Sequence, residues 1–148
     1  MAAGDFNGDK RPDVLLLSQS PDGEKAARLG LFYNTGDREK PFATEPSAVL
    51  ELPMERGLLR DGPTVGDFNG DGVADVVIAG GQAREAMILL GAAGRGLDLN
   101  RKVVVPLDFS LHHDTKLGLA DFTGDGKPDL AAFGTSTAGA VAIYIRRQ

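Results

Sequence analysis

Short apolar runs alternate along the chain with polar stretches that carry glycine. The clearest runs are DVLLLS at 13–18, DVVIAG at 75–80 and DLAAFG at 129–134, each opened by aspartate and closed by serine or glycine. Runs of this length, rich in large or branched apolar residues, suit strands covered on both faces. A second set lies downstream of each: ARLGLFYN (27–34), AMILLG (86–91) and AVAIYI (140–145). Weaker outer segments follow near AVLEL (48–52) and KVVVPL (102–107), while PTVGDF (63–68) and KLGLADF (116–122) lead into the second and third runs of the first set. Helices are not expected, because glycine or proline interrupts every window long enough to hold one.

The polar stretches ahead of the first set repeat as a nine-residue word: DFNGDKRPD at 5–13, DFNGDGVAD at 67–75 and DFTGDGKPD at 121–129. The words begin at Asp5, Asp67 and Asp121, so the repeat length is 62 and then 54 residues. Such periods indicate stacked or radial repeats, in which one supersecondary unit buries its faces only against its neighbours. Each unit reads strand, acid loop, strand, turn, strand, loop, strand, with DREKPF and AAGRG as turns. Four antiparallel strands in a unit of this size make one propeller blade. The expected fold is therefore all-β, a β-propeller fragment of about three four-stranded blades at 1–56, 57–110 and 111–148, with the last incomplete because the chain stops at Gln148. Three blades do not close a ring. Further blades of a longer propeller, or self-association with a second copy, are expected to complete it.

Charge sharpens this picture. The net charge is −5, yet nine of the 21 acidic residues fall in the three words, leaving twelve acids against 16 basic residues. The acidity is local, which points to a cation rather than to a phosphate polymer, and no basic-aromatic stripe suggests nucleic acid. No run of about 20 apolar residues predicts membrane insertion, and MAAGDFNGDK is not a charged leader before an apolar stretch. The chain as given is expected to be soluble and to lack its own export signal. Cysteine is absent, which removes thiolate chemistry. His112 and His113 are adjacent and poorly spaced to grip one metal ion; with Lys102 and Lys116 they are expected to form a solvated loop or, failing that, a binding rim.

The word itself has the spacing of a cation cradle. Ca²⁺ takes six to eight oxygens in irregular geometry. In 67–75 these are the side chains of Asp67, Asn69, Asp71 and Asp75 and the backbone carbonyl of Val73, with Gly70 and Gly72 curling the chain. Phe68 points away from this set and anchors the loop in the core. The corresponding sets are Asp5, Asn7, Asp9, the Arg11 carbonyl and Asp13, and Asp121, Thr123, Asp125, the Lys127 carbonyl and Asp129, giving up to three Ca²⁺ ions. An aspartate-rich turn that binds nothing is the competing reading, weakened by the threefold recurrence. An EF-hand requires glutamate at the twelfth position and flanking helices; here that position is Leu16, Ile78 or Ala132. A dockerin-type loop fails on the same residues. The expected order of affinity is 67–75, then 121–129, where a hydroxyl replaces an amide, then 5–13. There Lys10 replaces glycine, Lys10 and Arg11 add positive charge, and Asp5 lies near a terminus expected to fray.

On these residues, above all GDFNGDGVADVVIAGG (66–81) and ADFTGDGKPDLAAFG (120–134), the chain resembles the FG-GAP, or VCBS-type, repeats of integrin α-subunit propellers and secreted bacterial proteins. The resemblance implies seven- or eight-bladed propellers whose nine-residue loops join two strands of a blade and hold Ca²⁺. No serine lies in a nucleophile elbow and no histidine is spaced as a base with its partner, so catalysis is not expected. The expected function is a non-catalytic calcium-binding module that serves as a binding or adhesion scaffold for a protein or glycan. The alternative is an accessory propeller of a secreted polysaccharide lyase or hydrolase. Sites of modest affinity fill only where Ca²⁺ is millimolar, so an extracellular or cell-surface location is expected.

Overall fold

The computed structural model describes residues 1–19, 26–53, 62–79, 85–106, 115–135 and 141–146. Among the described residues eleven strands form three antiparallel sheets, each from a consecutive stretch of chain. The first contains β1 (Ala2–Gly4), β2 (Asp13–Gln19), β3 (Ala26–Phe32) and β4 (Ala48–Pro53), in that order. The second contains β5 (Thr64–Gly66), β6 (Asp75–Ala79), β7 (Glu85–Leu89) and β8 (Lys102–Pro106). The third contains β9 (Lys116–Ala120), β10 (Asp129–Thr135) and β11 (Val141–Arg146). The fold is all-β and propeller-like, an open fragment whose third sheet has three strands among the described residues. Among the described residues no helix is long and apolar enough to cross a membrane.

Alternation along each second strand explains why the sheets stack. Val76 and Ile78 of β6 join Leu15, Leu29, Leu31 and Leu52 of the first sheet in one core, while Val77 and Ala79 join Leu130 and Ala132 of the third sheet in another. Every residue of β6 is buried. That is why DVVIA reads as a continuous apolar run: period-two alternation puts successive side chains on opposite faces, and both faces are covered.

Short inner strands bring the sheets close together. A Cβ on Gly4 would lie 2.8 Å from Val65 Cγ1, and one on Gly66 would lie 3.0 Å from Leu119 Cδ1. Glycine before the acid word therefore lets neighbouring inner strands approach. The Thr64 hydroxyl adds a hydrogen bond to the Leu117 carbonyl at 3.0 Å.

Two elements were not expected from the hydrophobic pattern. β1 is only AAG, and it is a strand because Ala2, Ala3 and Gly4 pair with Leu15, Val14 and Asp13. This pairing also ties down the segment leading to Asp5, where fraying was expected. Ahead of β8 lies a 3₁₀ turn, Leu99–Arg101, whose N-cap Asp98 accepts a hydrogen bond from the Asn100 N–H.

Candidate metal-binding loops

Each nine-residue word forms the connection from the inner strand of its sheet to the next strand, β1 to β2, β5 to β6 and β9 to β10. The three connections share one hydrogen-bond scheme. The first aspartate gathers the loop around itself. Asp67 Oδ1 accepts from the N–H groups of Gly70 (2.7 Å) and Asp71 (3.1 Å), and its Oδ2 accepts from Gly72 N–H (2.8 Å). Asp5 does the same with Gly8, Asp9 and Lys10, and Asp121 with Gly124, Asp125 and Gly126. Converging three amides on one carboxylate demands left-handed backbone at two positions. Gly70 and Gly72 supply it at φ 77° and 82°, whereas in the first loop Lys10 adopts φ 67°. Lys10 is the one non-glycine residue with positive φ among the described residues, as its place in the word predicted.

The fifth-position carboxylate forms the next layer. Asp71 Oδ1 accepts from Val73 N–H at 2.9 Å, as Asp9 does from Arg11 and Asp125 from Lys127. Asn69 bridges back to Asp71, accepting its N–H at 2.9 Å and donating Nδ2–H to Asp71 Oδ2 at 3.0 Å. Asn7 and Asp9 repeat this pair at 3.0 and 3.1 Å. Phe68 is buried in the core as the anchor expected and Phe6 is buried likewise, whereas Phe122 is 52% exposed.

The ninth-position aspartate does more than the spacing implied. Asp75 is fully buried; its Oδ2 accepts from the N–H groups of Phe68 (2.8 Å) and Asn69 (3.2 Å), and its Oδ1 from Gly91 N–H (2.7 Å) just past β7. Asp13 likewise accepts from Phe6 at 3.0 Å and from Asn34, past β3, at 2.9 Å. These carboxylates are struts between the acid loop and the end of the third strand. Asn34 and Gly91 are thus functional partners that carry no local signal, since they lie 21 and 16 residues away. In the third loop Asp129 Oδ2 accepts from Phe122 and Thr123, both at 2.9 Å, and its buried Oδ1 has no partner among the described residues. The matching register position there is residue 148, outside the described residues, as are His112 and His113.

Burial pushes the Asp75 carboxyl above its ordinary pKa, against the amides of Gly91, Phe68 and Asn69 and with help from the Asp71 charge. Burial raises Asp13 as well, against Asn34 and Phe6, with the charges of Asp9 and Asp5 adding to the rise. Asp9 goes the other way: desolvation acts to raise it, but the Arg11 N–H, the Asn7 amide and the Arg11 guanidinium together hold it below the ordinary value.

The donor chemistry of the loops fits a hard cation. Every predicted side-chain ligand offers oxygen, and the Thr123 hydroxyl, at the third position of its word, is buried with no hydrogen-bond partner among the described residues. Among the described residues no group of three or more acidic or histidine side chains closes around a point. The carboxylates are turned onto the loop's own amides, and asparagine or threonine occupies the third position.

The loops also meet their neighbours. Ala74 donates its N–H to the Asp5 carbonyl at 2.8 Å, and Gly94 donates to the Asn7 carbonyl at 2.6 Å, so the first loop is clamped by the second sheet's connections. The model of the FG-GAP-like repeat matches residues 4–78, spanning the first two words and the strands between them. No curated protein matches the chain.

Proposed function

Because this chain belongs to the FG-GAP-like repeat family, a family of propeller-type repeat modules, we propose that it is a non-catalytic scaffold whose acid loops bind Ca²⁺. The observation that carries this reading is the shared loop scheme: three words with side-chain oxygens at the first, third, fifth and ninth positions, each curled around its first aspartate, with a Thr123 hydroxyl at a ligand position that has no partner among the described residues. Asp67, Asn69, Asp71 and Asp75 would hold the ion in the second loop, and Asp121, Thr123, Asp125 and Asp129 in the third. A bound Ca²⁺ supplies positive charge that offsets the repulsion among three carboxylates in nine residues.

Sites of this kind, with affinities of roughly 10⁻⁴–10⁻³ M, fill outside the cell, which supports an extracellular or surface role in adhesion to a protein or glycan. The outward face of the first sheet supports partnership with a further blade. Leu16 and Val49 are 41% and 48% exposed there, in register across Gly30. The matching positions Ile78 and Ala132 are covered by the preceding sheet.

Calcium titration followed by thermal unfolding tests the reading. A ligand that binds only the folded loops stabilises by RT ln(1 + [L]/Kd), so 1 mM Ca²⁺ on a single site of about 0.1 mM is worth about 1.4 kcal/mol. Melting curves that coincide in Ca²⁺ and in chelator would refute calcium binding.

A further inference from the structure

We propose that the loop at 5–13 carries its own cation: the Arg11 guanidinium neutralises Asp9, the fifth-position carboxylate that the other two loops leave to a metal ion, and the first blade closes without calcium. The inference rests on the calcium reading of 67–75 and 121–129 and narrows it from three ions to two.

Arg11 Nη2 lies 2.6 Å from Asp9 Oδ2. That oxygen also accepts from Asn7 Nδ2 at 3.1 Å, so its lone pairs are engaged. Among the described residues the counterpart oxygen in the second loop, Asp71 Oδ2, accepts from the Asn69 amide alone. The guanidinium is fixed at its other end, because Arg11 Nε donates to the Asn34 carbonyl at 2.9 Å. Its side chain also lies along Gly36, where a Cβ would stand 3.5 Å from Arg11 Cδ. A planar fork held at two points is preorganised for its carboxylate in a way that a freely moving side chain is not.

The other two loops have no such group. The seventh position of the second word is Val73, whose side chain is 4% exposed. In the third word it is Lys127, which is exposed and makes no ion pair among the described residues.

A further feature makes the first loop independent of a metal. Its Asp5 and Asn7 carbonyls are engaged by Ala74 and Gly94 of the second repeat, so neighbouring backbone supplies the ordering that an ion would otherwise provide. A fixed positive charge beside a divalent site also lowers its affinity, by about tenfold or more at surface dielectric.

The test is stoichiometry. Ca²⁺ bound per chain is measured by equilibrium dialysis on the full chain, with folding of each variant checked by circular dichroism. Wild type is expected to bind two ions. Asp9→Asn is expected to leave two, and Asp71→Asn to leave one. The double variant Lys10→Gly, Arg11→Val gives the first loop the GV of the second and is expected to bind three. Three ions on wild type, or a loss of one ion in Asp9→Asn, overturns the proposal and leaves the calcium reading standing; so does a folded double variant that still binds two. Should the double variant fail to fold, the Asp9→Asn count decides. No ion on any variant overturns the calcium reading and this proposal together.

Discussion

Replacing Asp75 by alanine separates the structural role of the ninth aspartate from any role in holding a metal. In chelator, the change removes a buried acceptor of three backbone amides, those of Gly91 at 2.7 Å, Phe68 at 2.8 Å and Asn69 at 3.2 Å. Asn69 is exposed and its amide finds water. Gly91 and Phe68 are buried, and each buried amide left without an acceptor costs about 1–3 kcal/mol. Part of that loss is recovered, because burial already disfavours the Asp75 carboxylate. The net expectation is about 3 kcal/mol, or a fall in Tm of roughly 6–12 °C for a chain of this size.

Asp71→Ala is the control. Asp71 is exposed and accepts from the half-buried Val73 N–H and from the exposed Asn69 amide, so its loss in chelator costs about 1 kcal/mol. In Ca²⁺ both variants lose the share of the added stabilisation that comes from 67–75 and keep the share from 121–129. Urea unfolding and thermal melts of the three proteins, each with chelator and with Ca²⁺, give the four differences. Equal losses for the two variants in chelator would refute the strut assignment for Asp75.

Three other outcomes follow from the loops and their surroundings. Lys10→Gly relieves a left-handed lysine at φ 67° and is expected to stabilise the metal-free protein by about 1 kcal/mol; an unchanged or lower Tm in chelator would count against strain there. For Asp75, the folded-state pKa lies above the ordinary 3.8, so its contribution to stability is fully present below the unfolded pKa and is lost as pH rises through the folded one. In chelator, wild type should therefore gain stability relative to Asp75→Asn as pH falls from 7 to about 4.5, and a difference that moves the opposite way refutes the raised pKa. Gly91→Ala places a Cβ against the Ala74 carbonyl and 2.8 Å from Val73 Cγ1. Backbone must shift to admit it, at a cost of about 1–3 kcal/mol, and a urea midpoint matching wild type would show that the packing there is looser.

The strands that carry blade stacking were legible because burial on both faces writes itself as an uninterrupted apolar run. DVVIA becomes β6 with every residue buried, and DVLLL opens β2 where it was expected. β1 was not legible, since AAG carries no apolar bulk and owes its conformation to pairing with β2 and contact with Val65. The curl of the acid loops was readable from their glycines, and the departure at Lys10 from its word position alone. What escaped was every role set by a distant partner. Spacing presents Asp13 and Asp75 as ligands like the rest, whereas the fold also joins them to Asn34 and Gly91. Arg11 reads as an unwanted positive charge beside a cation site until its reach to Asp9 and Asn34 is visible.

The eighth position of the word carries the same lesson to the junctions between blades. It holds Pro12, Ala74 and Pro128, a variation with no evident meaning in a loop whose ligands lie elsewhere. In the fold, Ala74 donates its N–H to the carbonyl of Asp5 across the first junction at 2.8 Å. Proline has no N–H to give, so Pro128 cannot make the equivalent bond to Asp67 across the second junction. Beyond the core that Val77 and Ala79 share with Leu130 and Ala132, that junction has the Thr64 hydroxyl and Leu119 packed at Gly66. The loop lacking a glycine at its second left-handed position, at 5–13, is therefore the one clamped through its backbone by the next blade. The loop at 67–75 has both its glycines and no clamp at this position, which leaves its closure to its own carboxylates and to the ion proposed to sit among them.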